Sequence, residues 1–325
     1  MRESRERVFM RVLIYGGGAV GLGIASCLLR SGCGVDIVAR PETVDALHAD
    51  GLVRTGLFGS AESEPGTFGA FGTLAELGGE SYDWVLVCTK SFDSPQAAAK
   101  LAEYRDTTGH SIRLVLFQNG WGNASLFGRH FAPASIYNAR VITGFHRHQP
   151  NEVEITVHAD AIHVGSLSAA DVSAVEGLCR CIRDGGIPCE PAMNIAGDLW
   201  AKMLYNCALN PLGAILRVPY GALAAHTTTQ TLMNSIIDEV FAVMTSAGYR
   251  THWEAPQGFI RTFYDKLVPD TAGHESSMLQ DIAAGKRTEI DALNGAVVRL
   301  ADEQGIAVPH NRSVYNLIKF VESTR

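Results

Sequence analysis

Three polar residues, Lys202, Asn206 and Asn210, are spaced by four within the otherwise apolar stretch WAKMLYNCALNP at 200–211. Side chains four residues apart lie nearly above one another on an α-helix, so these three would form one line about 12 Å long. A solvated face usually mixes both signs of charge, whereas this line has one ammonium, two amides and no carboxylate. We interpret it as a candidate site; a partly exposed helix with ordinary polar residues is the alternative.

A second dense polar stretch, SSMLQDIAAGKRTEIDALNG, occupies residues 276–295. Ser277 and Glu289 are twelve residues apart, which on one continuous helix gives an offset of about 120° around the axis. The two side chains would then not share a face unless Gly285 bends or breaks the helix. A surface network between Glu289 and the neighbouring basic residues is the alternative to a role in a site.

A glycine-rich segment, GGGAVG, directly follows the β-prone run RVLIY and precedes the helical pattern LGIASCLLR. This is the context in which the G-x-G-x-x-G pattern indicates a dinucleotide site. Gly16 would allow the tight turn, Gly18 the approach of a pyrophosphate and Gly21 close packing of helix on sheet. The helix amino terminus offers N–H groups to phosphates. A flexible turn is the alternative. The residues predicted to contact the cofactor here are Gly16, Gly17, Gly18, Ala19, Val20 and Gly21.

The end of the second predicted strand carries Arg40, nineteen residues after Gly21. Sites for NAD usually place an acidic residue there, about 20 residues on, to accept hydrogen bonds from the ribose hydroxyls. An arginine can instead pair with a ribose 2′-phosphate, which a carboxylate would repel. Arg40 therefore predicts NADP (NADPH) as the cofactor, and Glu42 leaves NAD open.

The first half of the chain alternates strand and helix, with strands predicted at 11–15, 35–40, 84–89 and 114–118. This alternation indicates parallel strands with right-handed crossovers, and ligands of such sheets bind beyond the carboxyl ends of the strands. Polar clusters follow three of these strands: the glycine loop, Lys90-Ser91 and Asn119-Gly120. The predicted fold class is α/β, with an N-terminal Rossmann-like doubly wound sheet followed by an all-α C-terminal domain.

The predicted domains are 1–193, which binds the dinucleotide, and 194–325, which is helical and carries substrate and catalytic residues. In the first domain, 136–145 and 152–165 are predicted β segments, with a hairpin around 158–161. Pro211 should end or kink the helix that begins near 195. Residues 1–9 are predicted to be a disordered extension before Met10. Helical patterns cover 168–184, 195–210, 221–247, 253–267, 277–304 and 310–322.

Composition excludes several classes of protein. The chain has 325 residues with 46% hydrophobic content, which is ordinary for a globular protein, and its net charge of −7 gives no basic footprint for nucleic acid. No apolar run approaches the roughly 20 residues of a membrane span, and the first nine residues lack the apolar core of a secretion signal. Seven scattered cysteines form no Cys-x-x-Cys pair. They predict reduced core thiols in a cytoplasmic protein, without a metal site.

Five blocks of the chain together resemble the ketopantoate reductase (2-dehydropantoate 2-reductase) family, and the resemblance covers nearly its whole length. It implies a Rossmann domain followed by a helical domain, an active site in the cleft between them, and NADPH-dependent reduction of a 2-keto acid. In the family's main case this is the step that gives pantoate for coenzyme A synthesis. The blocks are GGGAVG, CTKS at 88–91, QNG at 118–120, KMLYNCALNPL at 202–212, and the stretch at 276–295.

The resemblance also implies roles for individual residues. Lys202 would be the general acid, and Glu289 would assist around it. Hydride delivery to a ketone carbon develops negative charge on its oxygen, and a lysine, whose unperturbed pKa is about 10.4, can donate a proton there at neutral pH. Ser277 would hold the substrate carboxylate. The further implied roles are substrate positioning by Asn206 and Asn210, and cofactor binding by Lys90 and Asn119.

The stretch ITGFHRHQPNEVEITVHAD departs from the small residues and glycine-rich turn expected of the family. His146, Arg147 and His148 are bulky and either alter the substrate pocket or decorate a loop; the histidines as acids or metal ligands are a further alternative. Two rival functions remain: a family reductase for another 2-oxo acid, and a non-catalytic NADP-sensing protein. The sequence does not set the oligomeric state, for which a homodimer is a candidate.

Overall fold

A computed structural model describes residues 10–168 and 170–324. The chain divides into two compact units. The first runs to Gln118 and resumes over Ala124–Ile195, and the second consists of Asn119–Asn123 and the chain from Ala196 onward. The predicted domain 1–193 contains the segment 119–123, which groups here with the second unit. The proposed extension over residues 1–9 lies outside the described residues.

The first unit is built from strands that alternate with helices in its amino-terminal part. Its elements in chain order are β1 (Arg11–Tyr15), α1 (Ala19–Arg30), β2 (Gly34–Val38), α2 (Pro41–Asp50), β3 (Leu52–Gly56), β4 (Ala61–Ser63), β5 (Gly69–Phe71), β6 (Trp84–Val87), α3 (Ser94–Thr108), β7 (Leu114–Leu116), α4 (Asn123–Phe127), β8 (Ile136–Arg140), β9 (Thr143–Gln149), β10 (Glu152–His158), β11 (Ile162–Gly165), α5 (Glu176–Asp184) and β12 (Cys189–Pro191).

Eight of these strands form one twisted sheet in the order β12-β11-β8-β7-β6-β1-β2-β5. All neighbours pair in parallel except β11 and β8. Successive side chains of β1 enter different apolar cores, because a strand presents alternate residues to opposite faces. Val12 and Ile14 pack in the cluster that contains Leu22 of α1, and Leu13 packs in the cluster that contains Leu101 of α3. The predicted doubly wound α/β fold is confirmed.

A second, four-stranded sheet has the order β4-β3-β10-β9. Strands β9 and β10 form an antiparallel hairpin whose turn is at Pro150 and Asn151, and β10 also pairs in parallel with β3. The hairpin predicted around 158–161 is therefore wrong. Strands β10 and β11 belong to different sheets, and β11 pairs antiparallel with β8 instead. The alternation of side chains identified the strands, but it carries no information on which strand is the neighbour.

The second unit is helical, apart from the short segment 119–123. Its helices are α6 (Ile195–Leu216), α7 (Tyr220–Ala224), α8 (Thr227–Ser246), α9 (Pro256–Thr262), α10 (Val268–Asp270), α11 (Ser277–Ala283), α12 (Asn294–Gln304) and α13 (Pro309–Ser323). A π-helical turn, Phe263–Leu267, joins α9 to α10. One apolar cluster runs through these helices and includes Trp200, Met203 and Leu204 of α6. No helix in the described part of the chain is long and apolar enough to cross a membrane.

Helix α6 continues through Pro211 to Leu216, so of the two expected effects of Pro211, an end or a kink, the end after Asn210 is wrong. A proline has no backbone N–H, so the carbonyl four residues earlier, at Cys207, lacks its usual helical donor. The side-chain amide of Asn294, at the start of α12, donates to that carbonyl at 3.1 Å. Asn294 is itself fully buried. Tertiary packing thus supplies the hydrogen bond that the proline removes.

Candidate active site

The glycine loop joins β1 to α1 and leaves open space at the start of the helix. Gly16 has a φ of +118°, and a Cβ there would lie 2.7 Å from the backbone nitrogen of Thr89. Gly21 lies too close to the carbonyl of Gly16 to accommodate a Cβ. At Gly18, the N-cap of α1, no atom lies within 4 Å of the Cβ position. Because the first N–H groups of a helix have no intrahelical acceptor, this end of α1 is suited to hydrogen-bond an anion.

Arg40 occupies the position before α2, as the N-cap residue. Its Nη2 lies 3.7 Å from Oε1 of Glu42, and the two side chains are 71% and 58% exposed. An ion pair this exposed contributes little stability, because water and salt screen it. The guanidinium can therefore exchange this carboxylate for another anion. Lys90, the other predicted cofactor residue of this unit, follows β6, and its carbonyl accepts a hydrogen bond from Gln118 at 3.3 Å.

The segment 119–123 is anchored on the second unit by its tryptophan. The backbone N–H of Trp121 donates to the carbonyl of Ala292 at 2.8 Å. The Trp121 ring lies 4.6 Å from the ring of Trp200 and 4.7 Å from that of Tyr249, measured between centroids. Asn123 donates from its side chain to the carbonyl of Asn119 at 3.0 Å. These contacts hold the Asn119 side chain over the amino-terminal half of α6.

Asn119 connects Lys202 to Glu289. The Lys202 ammonium donates to Oδ1 of Asn119 at 2.6 Å, and Nδ2 of Asn119 donates to Oε2 of Glu289 at 3.0 Å. A lysine only donates and a carboxylate only accepts, so one orientation of the amide satisfies both partners. The interaction between the carboxylate and the amide thereby fixes where the ammonium is held.

Asn119 and Glu289 line a small open pocket, and Lys202 is joined to it through its hydrogen bond to Asn119. Asn210 of α6 and Ser277 of α11 line the same cavity as Asn119 and Glu289. Glu289 is only 7% exposed, so it is not a surface residue. Ser277 and Glu289 come together because α11 ends at Ala283 and the chain turns back before residue 289. The full lining is Asn119, Asn210, Ser277, Met278, Asp281, Glu289 and Leu293.

Two hydroxyl groups donate hydrogen bonds to Asn210 and hold it in place. The hydroxyl of Tyr220 donates to Oδ1 of Asn210 at 2.6 Å, and Ser276 donates to the Asn210 carbonyl at 3.2 Å. Burial raises the pKa of the Tyr220 hydroxyl, so it stays protonated and remains a donor. With Oδ1 engaged by Tyr220, the N–H groups of Asn210 are the donors that this residue can present to a ligand.

The loop that carries Glu289 is anchored by the last helix. Thr288 is fully buried, and both its backbone N–H and its hydroxyl donate to Oε1 of Glu322 in α13, at 2.8 and 2.7 Å. Two charge-assisted hydrogen bonds to one carboxylate oxygen hold the residue next to Glu289. The position of Glu289 therefore depends on α13.

Four further charged or polar residues extend this anchor. Asp291 accepts hydrogen bonds from Arg287, Tyr315 and Lys319, and Lys319 also donates to Glu322. Burial acts to raise the pKa of Asp291, but these hydrogen bonds outweigh it and lower the pKa overall. The pKa of Glu322 is lowered in the same way, by Lys319 and the buried threonine, against the effect of burial. Both carboxylates are therefore held in the ionised form.

Of the predicted residues of the second unit, Asn119, Asn210, Ser277 and Glu289 line the cavity, and Lys202 is joined to it through Asn119. Asn206 is buried on α6, one turn after Lys202, and is not among the residues that line the cavity. Asp281 lines the cavity, although the sequence reasoning did not select it. Its position four residues after Ser277 on a helix was the signal that could have identified it.

The residues His146, Arg147 and His148 belong to β9 and not to a loop. Both histidines are exposed, and Nε2 of His148 lies 2.7 Å from Oε2 of Glu154. Within the described residues, no group of three or more His, Cys, Asp or Glu side chains is placed to hold a metal ion.

The chain is similar to known proteins of one family. Two family models match, "Ketopantoate reductase PanE/ApbA" over residues 12–169 and "Ketopantoate reductase PanE/ApbA C terminal" over residues 194–322. The 2-dehydropantoate 2-reductase of Aquifex aeolicus is 33% identical over 314 residues, which cover 96% of this chain and 97% of that protein. The enzyme of the same name from Archaeoglobus fulgidus is 30% identical, with coverage of 96% and 98%.

Solved structures agree on the fold. A PanE/ApbA family ketopantoate reductase from Ralstonia eutropha superposes with a TM-score of 0.82 at 30% identity, and the match covers 97% of this chain and 99% of that one. A D-mandelate dehydrogenase, solved with NADH and anilino(oxo)acetate, gives a TM-score of 0.84 at 22% identity over 97% and 99% of the two chains. At that identity, the likeness shows a shared fold alone.

Proposed function

Because this chain belongs to the ketopantoate reductase family, whose members are oxidoreductases acting on a CH–OH group, we propose that it reduces a 2-keto acid to a 2-hydroxy acid with NADPH. The first substrate to test is 2-dehydropantoate, whose product pantoate enters pantothenate and coenzyme A synthesis. The observation that carries the proposal is the connected set Lys202–Asn119–Glu289 beside a pocket whose lining includes the amide of Asn210 and the hydroxyl of Ser277.

In this proposal Lys202 is the general acid. The bound nicotinamide supplies the hydride to the ketone carbon. Negative charge then develops on the ketone oxygen, and an ammonium hydrogen-bonded to that oxygen stabilises the charge and donates a proton to give the hydroxyl group. Lys202 is left as a neutral amine, which regains a proton from solvent before the next turnover.

Asn119 and Glu289 position this acid without exchanging its proton. An amide oxygen does not titrate near neutral pH, so the 2.6 Å hydrogen bond to Asn119 holds the ammonium without competing for its proton as a carboxylate would. Glu289 fixes the amide orientation through the 3.0 Å hydrogen bond. Asn119 thus has a positioning role in addition to the cofactor contact that the family resemblance implies.

Substrate binding falls to Asn210 and Ser277, which donate to the keto acid and its carboxylate, while Met278 and Leu293 supply apolar contact. Asn206 lies one turn after Lys202 on the same face of α6 and helps to position the substrate. These neutral donors suit a carboxylate substrate, because they bind its oxygens without adding charge that would alter the lysine. The domains predicted from the sequence, 1–193 and 194–325, follow the same separation of tasks, with substrate chemistry on the helical part.

Cofactor binding is assigned to the first unit. The glycine loop, from Gly16 to Gly21, receives the pyrophosphate at the amino terminus of α1. Arg40 receives the 2′-phosphate in exchange for its exposed contact with Glu42. Lys90, after β6, is assigned to the ribose and nicotinamide side. Together these residues favour NADPH over NADH.

The test is NADPH oxidation, followed by the nicotinamide absorbance, with a panel of 2-keto acids that includes 2-dehydropantoate. The wild type is compared with Lys202→Ala and with Lys266→Ala, an exposed lysine of the same unit as a control. Turnover should fall by about 10²- to 10⁴-fold in Lys202→Ala, the usual contribution of a general acid, and stay unchanged in the control. Full activity of Lys202→Ala refutes its role. NADPH binding without turnover of any keto acid would favour a sensing protein.

A further inference from the structure

Strand β9 lies on α1 and brings an arginine to the glycine loop. The ring of Phe145 packs directly on Gly23 of α1, leaving no room for a Cβ there. Arg147 is two residues further along the strand, so its side chain points to the same face as Phe145. Its Nη1 donates to the carbonyl of Gly17 at 3.3 Å. A guanidinium from the second sheet therefore lies at the loop expected to hold the cofactor.

The hairpin has a bulge directly after Arg147. Glu152 pairs with Gln149, but the next residue, Val153, pairs with Arg147, so β9 contains one extra residue at this point. Such bulges bend the strand and redirect side chains, and they are frequent beside functional sites. The neighbours His146 and His148 lie on the other, exposed face of the strand.

The charges around Arg147 are those of Arg40 and Glu42. Burial lowers the pKa of Arg147, the positive charge of Arg40 lowers it further, and the carboxylate of Glu42 opposes this effect. Two guanidinium groups that are close enough to repel each other are stabilised when an anion binds between them. Arg40 stands at the position where a 2′-phosphate is read, so the anion that suits both is a phosphate on the adenosine ribose.

We propose that Arg147 is a second specificity-determining residue, which binds the adenosine 2′-phosphate of the dinucleotide jointly with Arg40. The inference rests on the proposed function, since it concerns the cofactor of that reaction. It assigns Arg147, the middle residue of the bulky segment 146–148, to nucleotide binding instead of to the substrate pocket or to a loop without a function. Each planar guanidinium can form a pair of hydrogen bonds with phosphate oxygens. A phosphate group presents three such oxygens, so two arginines can engage more of them than one arginine can.

The experiment measures the binding of nucleotide fragments, so it needs neither a keto acid nor hydride transfer. Isothermal titration of the full chain with 2′,5′-ADP and with 5′-ADP separates the 2′-phosphate from the rest of the adenosine. In Arg147→Met the dissociation constant for 2′,5′-ADP should rise about tenfold, the scale of one lost charge-assisted hydrogen bond. The constant for 5′-ADP should change by less than about twofold. His146→Ala, on the exposed face of the same strand, is the matched control and should change neither constant.

An equal loss for both fragments would mean that Arg147 supports the loop or the adenosine, and would overturn the proposal, as would no loss for either. Arg147→Lys keeps the charge but removes the planar fork; an intermediate loss, confined to 2′,5′-ADP, supports the proposal if Arg147→Met does not fold. A chain that binds 2′,5′-ADP through Arg147 yet reduces no keto acid would refute the proposed function and leave this inference standing.

Discussion

Replacing Asn119 by alanine separates the two tasks that the residue could have. The substitution removes the 2.6 Å hydrogen bond to Lys202 and the 3.0 Å hydrogen bond to Glu289. A hydrogen bond to a charged group contributes about 1.5–3 kcal/mol. If the bond to the ammonium is needed mainly while charge develops on the substrate oxygen, kcat should fall by about 10- to 150-fold, since 1.4 kcal/mol corresponds to a factor of ten.

The assay is steady-state NADPH oxidation with both substrates varied. A positioning role for Asn119 predicts a large loss in kcat, an increased solvent deuterium isotope effect on kcat, and a KM for NADPH within about threefold of the wild type. The isotope effect should increase because proton donation by a less well placed ammonium becomes more rate-limiting. Asn234→Ala, elsewhere in the helical unit, is the control for the general effect of losing an asparagine. A higher KM for NADPH with an unchanged kcat would refute the reasoning and return Asn119 to the cofactor alone.

Three further predictions concern residues behind the site. Glu322→Ala should lower both the melting temperature and kcat, because the loop carrying Glu289 loses its anchor; calorimetry and kinetics on the same sample check this, and a stability loss with unchanged kcat contradicts it. The pKa values of Asp291 and Glu322 in the folded chain lie below their ordinary 3.8 and 4.5. The stability that the two carboxylates supply is therefore fully present above the ordinary pKa values and is lost as the pH falls through the lowered ones. Melting temperatures measured across acid pH check this. Tyr220→Phe should raise KM for the keto acid by about two- to tenfold with little change in KM for NADPH, because one buried hydrogen bond to Asn210 is lost; equal changes in both would argue against the assignment.

The sequence was most informative where a pattern is local. The glycine loop and the element order of the first unit follow from spacing, because a strand, a tight turn and a helix are each encoded within about ten residues. The polar line of α6 is also local. Asn210 lines the cavity, and Lys202 donates a hydrogen bond to Asn119, which lines it as well.

The sequence was least informative where a distant residue decides the outcome. Pro211 predicts the end or a kink of a helix, and nothing near it in the sequence shows that Asn294, far along the chain, donates to Cys207. Glu289 and Ser277 cannot share a face on a continuous helix, and only the break after Ala283 brings them together. The sequence leaves Arg147 open between the substrate pocket and a loop, because nothing in its own segment shows that β9 lies on α1.

The membership of residues 119–123 in the helical unit has a practical consequence for protein engineering. A fragment that begins at residue 196 would contain Lys202 but lack both its oxygen acceptor and the indole that stacks on Trp200. Chimeras that exchange the nucleotide-binding part between relatives must therefore keep this pentapeptide from the same parent as the helices. The crossover points that respect the contacts are three, at 118/119, 123/124 and 195/196.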